Sequence, residues 1–425
     1  MTTATALDIA TPTATDKFPV AIVPRINIGI FCDNPQSAQV MQAAASDRRM
    51  SKAHVNLQMG GTLGAAQYHA QEPTPHVIIV ESHGDRTQVM NELGKFAEVC
   101  GPETKVIVIG HVNDILLYRD LMKNHVSDYI VAPITSLQII ESIAAIYNDP
   151  KAAPLGKVIA FVGAKGGVGS STIAHNIAYA TSQNLAIETI LTDLDLSFGT
   201  AALNFNQDGG GTFYEALQAP DRVDPTLLDR LMSKLGNKLS LLNGPGSIDR
   251  DMTIEAHSVE TVLNVVRQAA PAIIVDVPNM WAPWVKYTLM NADEIVITAT
   301  PELPSLRNAK NLIDLLKVGR PNDRQPRLVL NQVGVPKRPE IPAADFAKAL
   351  GVVPAAIIPH DPQTFGLAQG NGQMVFEVAP KSKAAELMTG LAEQLAGITK
   401  TAAKPQRFDL SGLMQKLPLL KKKEG

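Results

Sequence analysis

Continuously apolar runs, each followed by an amphipathic stretch, recur along the chain. Residues 26–31, 76–81 (HVIIVE), 105–109 (KVIVI) and 128–131 (DYIV) are strand-like, and residues 37–49, 86–99, 114–123 and 136–147 read as helices. Strands that are apolar throughout and alternate with helices predict a parallel sheet covered on both faces. The polar, Pro-containing break NDPKAAPLG at 148–156 ends this series. A second one follows, with strands at 157–162, 189–192, 272–276, 294–298 and 327–330, an edge strand at 355–358, and helices at 171–182 and 383–396. The predicted class is α/β, with two doubly wound parallel-sheet domains at 23–148 and 156–398. The Thr-, Ala- and Pro-rich segment 1–22 is expected to be disordered, and 399–425 to be a flexible tail.

Composition agrees with this division. A chain of 425 residues, 45% hydrophobic and 19% charged, is too long for one ordinary core. The net charge of -3 and pI near 6.3 give no general attraction to nucleic acid. The most basic segment, 320–327 with Lys337 and Arg338, reads as a solvated loop. Cys32 and Cys100 lack CxxC or Cys/His spacing and are expected to be reduced thiols. The N-terminus has no basic stretch leading into an apolar one, so no secretory leader is expected. No run approaches the roughly 18–20 apolar residues of a membrane span.

The densest chemistry lies in GAKGGVGSST, 163–172, between a strand and a helix. Glycines at 166, 167 and 169 can take positive φ and turn backbone N–H groups toward phosphate oxygens. The helix that follows adds the partial positive charge of its N-terminus. A Gly-rich turn in that setting is the context that gives a phosphate loop its meaning.

KGGVGSST resembles the deviant Walker A box of MinD/ParA-type ATPases, written KGGxGK[ST]. The resemblance implies ATP with Mg²⁺ and a nucleotide-sandwich homodimer. Gly163, Gly166, Gly167, Val168, Gly169, Ser170, Ser171 and Thr172 would cradle the phosphates. Lys165 would reach the partner's phosphates and serve catalysis, and the Ser171 hydroxyl would hold the metal. Ser170 stands where the family has its second lysine, a loss of about 1–3 kcal/mol in phosphate binding. Catalysis should lose more, because phosphoryl transfer rests on cationic stabilisation. Whether the chain is an ATPase is therefore left open.

Other segments extend the resemblance over residues 157–397. In TDLD, 192–195, Asp193 would support Mg²⁺ and Asp195 would position the attacking water; solvated strand-end carboxylates are the alternative. IIVD, 273–276, resembles Walker B and adds Asp276 to the metal set. Asn331, ending RLVLN, stands at the place of an adenine-contacting amide, though turns also favour Asn. Pro359 and Asp361, in IPHD before GNG at 370–372, match the nucleotide-side loop. Trp281 and Trp284 read either as a partner surface or as anchors of a helix to the core.

The first domain resembles response-regulator receivers, best at SDYIVAPIT. The acceptor aspartate is replaced by Glu81, the lysine by Ala132 and the hydroxyl residue by Gly110, while Asp33 remains. Phosphotransfer is therefore not expected, and the domain reads as an interaction or dimerisation module. Glu81 is read as a solvated strand-end carboxylate, with imitation of a permanently charged state as the alternative. In the tail, Leu410, Leu413, Met414 and Leu417 precede Lys421, Lys422 and Lys423, a pattern suited to an anionic membrane surface or to a solubilising tail.

A receiver-like domain ahead of a KGGVGSST ATPase-like domain resembles the CpaE/TadZ family of Flp (Tad) pilus assembly proteins. That implies a cytoplasmic homodimer, peripheral to the inner membrane and polar, that recruits the pilus secretion machinery with weak or absent hydrolysis. An active MinD/ParA switch and a DNA-segregation protein are the alternatives, although no specific nucleic acid is expected.

Overall fold

The computed structural model describes residues 22–147, 155–207, 212–248 and 252–398. The expectations for the N-terminal segment and the basic tail lie outside the described residues. Five parallel strands form the first sheet: β1 (Asn27–Cys32), β2 (His54–Met59), β3 (Val77–Ser82), β4 (Lys105–Gly110) and β5 (Asp128–Val131). They run in the order β2-β1-β3-β4-β5. Successive side chains of a strand point to opposite faces, so Ile79 joins Ile28, Met41 and Ile143 on one side. Its neighbours Ile78 and Val80 join Val89, Phe96 and Leu117 on the other. The flanking helices start where the sequence offers a cap: Asn34 for Pro35–Ala45, Asp85 for Arg86–Ala97, and Asp114 for Ile115–Lys123.

β2 and the helix Gly61–His69 after it had no counterpart in the pattern reading. β2 lies at the sheet edge, so no residue of HVNLQM is fully buried and no apolar run marks it.

The second sheet comprises β6 (Lys157–Gly163), β7 (Thr189–Asp193), β8 (Ser233–Lys234), β9 (Leu239–Leu242), β10 (Ala272–Val277), β11 (Glu294–Ala299), β12 (Arg327–Val333) and β13 (Pro354–Pro359). Their order is β13-β12-β11-β6-β10-β7-β9-β8, with β13 at one edge as expected. The short β8 is antiparallel to β9 and departs from the otherwise parallel pairing. Val158, Ala160 and Val162 face one core and Ile159 and Phe161 the other, so β6 is covered on both sides. Its C-terminal end opens directly into the Gly-rich loop.

The basic segment at 320–327 is solvated only in part: Arg324 is exposed, as is Lys337, but the rest of the charge is engaged. Arg320 is buried, and its Nε donates to Asp323 Oδ2 at 2.7 Å. Arg48, from the first sheet's unit, donates to the same oxygen at 2.8 Å and to the Asn291 carbonyl at 3.1 Å. Arg49 pairs with Asp47 and with the other Asp323 oxygen, and Asn322 donates to Asp47 at 2.9 Å. Arg327 is bound to Glu294. Arg48, Arg49 and Arg320 meet at Asp323 in an ion cluster that ties the two sheet units together, because buried charges persist only when paired. Both cysteines are free thiols; Cys32 is buried, and burial with the nearby Glu81 charge pushes its thiol up to about 12.

Candidate nucleotide site

The loop leaves β6 at Gly163 and returns at Gly169, the N-cap of the helix Ser170–Tyr179. Gly167 and Gly169 take φ of +78° and +86°, values that a side chain would strain. A Cβ on Gly169 would also lie 2.6 Å from the Asn331 amide nitrogen. Four side-chain amides hold the loop by its carbonyl oxygens. Asn279 donates to Gly163 at 2.8 Å, Asn308 to Ala164 at 2.9 Å, Asn331 to Val168 at 2.9 Å and Gln332 to Gly167 at 3.1 Å. With its carbonyls engaged from outside, the loop keeps its N–H groups for an anion. Asn331 is buried and its nitrogen is committed to this clamp. Sequence reasoning missed the other three amides, which come from the loop after β10, the helix Leu303–Gly319 and β12.

Lys165 is about one-third exposed and lies 3.3 Å from Glu302, whose carboxylate is oriented by the Thr300 hydroxyl at 2.6 Å. Ser171 and Thr172 lie in the first turn of the helix. Ser170 opens that helix, and its Oγ is buried without a hydrogen-bond partner among the described residues.

The carboxylates meet through strand register. β10 runs beside β7 with Asp276 opposite Asp193, although 83 positions separate them in the chain. His175, one turn further along the Ser170–Tyr179 helix, completes the cluster, and the ligand atoms of the three residues lie within 4.8 Å of one another. His175 is fully buried. Its Nδ1 lies 2.9 Å from Asn204 Nδ2 and its Nε2 3.4 Å from Asp276 Oδ2. Asp193 accepts backbone N–H groups from Asp195 at 3.0 Å and Ala201 at 3.2 Å. Burial, and then the Asp276 charge, still raise its carboxyl to about 7 against the opposing pull of His175.

His175 Nε2, Thr192 Oγ1 and Asp276 Oδ1 are buried without hydrogen-bond partners among the described residues. Orphaned donors and acceptors at that density mark a place built for a polar ligand. The oxygen-rich set fits a hard divalent cation such as Mg²⁺, held by Asp193 and Asp276, and such a cation would supply the charge that two facing carboxylates lack.

Asp195 is half-buried and accepts the Phe198 N–H at 2.9 Å, shaping the turn after β7. Pro359 ends β13, and Asp361 caps the helix Pro362–Asn371 by accepting the Thr364 N–H at 3.0 Å. The tryptophans differ: Trp284 is buried at 5% exposure and anchors the helix Pro283–Asn291, whereas Trp281 is 57% exposed.

At the C-terminal edge of the first sheet, Glu81 is buried and not solvated. Burial would raise its carboxyl, but hydrogen bonds from Ser37, the Asp33 N–H, His111 and the Asn34 N–H hold it below the usual range. Gly110 is glycine because the Tyr129 ring covers it; a Cβ there would lie 2.1 Å from the Tyr129 hydroxyl oxygen.

No helix among the described residues is long and apolar enough to cross a membrane. No family model matches the chain. A putative septum site-determining protein MinD from Guillardia theta is 23% identical over 212 residues, 49% of this chain and 76% of that protein. The solved structure of a pilus assembly protein CpaE from Caulobacter crescentus is 41% identical, covering 30% of this chain and 98% of its own, with a TM-score of 0.30. A solved ParA family ATPase from Chlorobium tepidum is 30% identical, covering 56% of this chain and 98% of its own, with a TM-score of 0.51. With that structure matched over nearly its whole length, on a fold whose central strand ends in the Gly-rich loop, the chain belongs to the ParA family of ATPases.

Proposed function

We propose that the chain binds ATP with Mg²⁺ and acts as a nucleotide-dependent localisation factor for pilus assembly, with weak or absent hydrolysis. The observation that carries the nucleotide reading is the preformed loop, four carbonyls clamped outward, above a cluster of orphaned polar atoms at Ser170, His175, Thr192 and Asp276. Gly163 to Thr172 would take the phosphates, and Ser171, Asp193 and Asp276 would hold the metal. Weak hydrolysis follows from Ser170, a neutral hydroxyl where the family motif carries a lysine. In a homodimer, Lys165 would leave Glu302 for the partner's phosphates. The pilus reading rests on the sequence: a receiver-like unit over 23–148, without acceptor aspartate or lysine, ahead of the KGGVGSST unit over 156–398.

The second reading is an active ATPase switch, which retained Asp193, Asp195 and Asp276 favour. Purified protein assayed for binding of a fluorescent ATP analogue and for phosphate release separates the two, with Lys165→Ala and Asp195→Ala as controls. Tight binding with turnover near background supports the first reading. Turnover at ordinary ATPase rates, lost in both variants, overturns it. Absence of nucleotide binding overturns both, and salt-sensitive binding to random duplex DNA would instead favour a DNA-segregation role.

A further inference from the structure

The nucleotide reading uses Asp193 and Asp276 but gives no task to His175, the third member of their cluster. His175 is fully buried on the helix Ser170–Tyr179, one turn after Ser171 and on the same face. Its Nε2 lies 3.4 Å from Asp276 Oδ2 yet makes no hydrogen bond among the described residues. Asp276 Oδ1 is orphaned in the same cluster, and the ligand atoms of His175, Asp193 and Asp276 lie within 4.8 Å of one another. A histidine kept for packing alone would not leave its ring nitrogen bare against a carboxylate, because an unsatisfied buried polar atom bears the full cost of leaving water.

Charge makes the same point. Among the described residues neither carboxylate pairs with a lysine or arginine: Lys165 is turned to Glu302, and Ser170 is neutral. Two carboxylates taken out of water need a cation. A divalent ion balances both of them, with a neutral imidazole as third ligand. The separation agrees, since ligands about 2.0–2.2 Å from one ion stand about 3–3.5 Å apart. On the other side of the ring, the Asn204 amide lies 2.9 Å from Nδ1 and 3.4 Å from Thr200 Oγ1. An amide can present its oxygen at that position; it then accepts the Nδ1–H and leaves the Nε2 lone pair for the ion, the outer support that metal-bound imidazoles have.

We propose that His175 is a direct ligand of the metal together with Asp193 and Asp276, and that the chain holds a divalent transition ion of the Mn²⁺ class before nucleotide arrives. The nitrogen sets the preference: Mg²⁺ takes oxygen ligands, whereas imidazole suits transition ions. The positive charge that Ser170 does not supply would then lie beneath the phosphate loop in advance. The inference rests on the nucleotide reading for the purpose of the ion, and on the cluster geometry for the site.

The probe is Mn²⁺, added to the nucleotide-free full chain in excess Mg²⁺ and read by pulsed electron paramagnetic resonance. One bound Mn²⁺ per chain, with hyperfine coupling to an imidazole nitrogen, is expected. His175→Gln keeps a polar side chain without an imidazole; it should lose the coupling and the preference for Mn²⁺ over Mg²⁺ while keeping the wild-type circular dichroism spectrum. Asn204→Ala should keep the coupling and weaken Mn²⁺ binding about 10- to 100-fold. His83→Ala and His111→Ala, on the other sheet unit, should leave the signal as it is. Wild type without nitrogen coupling, or coupling that survives in His175→Gln, overturns the proposal, and the wild-type spectrum decides even where the variant misfolds. A fluorescent ATP analogue with Mg²⁺, tested on the same wild-type preparation, separates the two readings. Analogue binding without nitrogen-coupled Mn²⁺ overturns the metal proposal alone. Coupled Mn²⁺ without analogue binding supports the site and overturns the nucleotide reading.

Discussion

Removing the Asp323 carboxylate tests whether the ion cluster between the sheet units stabilises the protein or merely decorates it. Burial alone would raise this carboxyl, but Arg48, Arg320 and Arg49 outweigh burial and hold it at about 2. Against an ordinary aspartate, that depression is worth roughly 2 kcal/mol of stability at neutral pH. Asp323→Asn also strands three guanidinium groups that have little water around them, and breaking buried pairs costs about 3–5 kcal/mol. A loss of about 2–4 kcal/mol is therefore expected, read as a lower urea midpoint by tryptophan fluorescence. The sign with pH is fixed. A depressed folded-state pKa gives stability that is complete above the unfolded value and is lost as pH falls through about 2. The gap between wild type and variant should be constant from about pH 5 to 8, close to half its size near pH 3, and almost gone at pH 2. A gap under about 1 kcal/mol at pH 7, or one unchanged at pH 3, would refute the reasoning.

Gly169→Ala forces a positive φ on a side chain that also meets the Asn331 amide, so about 1–3 kcal/mol of strain and at least a tenfold loss of ATP affinity are expected by calorimetry. Ser170→Lys restores a cation to the loop and should tighten ATP by about 5- to 150-fold and raise phosphate release; unchanged affinity would show that the loop cannot use it. Trp284→Ala should cost about 3–5 kcal/mol in urea unfolding, and Trp281→Ala less than about 0.5. Glu302→Gln should leave the melting temperature nearly unchanged, since exposed pairs contribute little, while increasing any ATP-dependent dimer seen by light scattering.

Features set by local patterning were legible in the sequence. β3 and β10 are buried along their whole length and announce themselves as VIIV and AIIV. The phosphate loop is legible for a similar reason, since its glycines, hydroxyls, strand and helix are contiguous. What escaped depends on distant partners. Edge strand β2 and the short β9 carry no long apolar run. His175 looks like any core histidine until register brings Asp276 beside it. Arg48 finds Asp323 275 residues away, and Arg320 looked solvated although its guanidinium is buried against Asp323 and the Leu289 carbonyl. Glu81 was misjudged likewise: the strand end placed it, but Ser37 and Asn34 buried it.

The amide clamps bear on the thermodynamics of ligand capture. A flexible Gly-rich loop would surrender its backbone freedom at the moment of binding, a penalty of about 1–2 kcal/mol for each residue fixed. Here Asn279, Asn308, Asn331 and Gln332 fix it when the chain folds. Phosphate capture would then carry little entropic penalty from the loop and would proceed as docking onto a rigid cradle, limited by encounter and not by loop closure. Loosening one clamp shifts that penalty back onto the binding step, where it appears as lost entropy and slower capture without the removal of any group that touches the ligand.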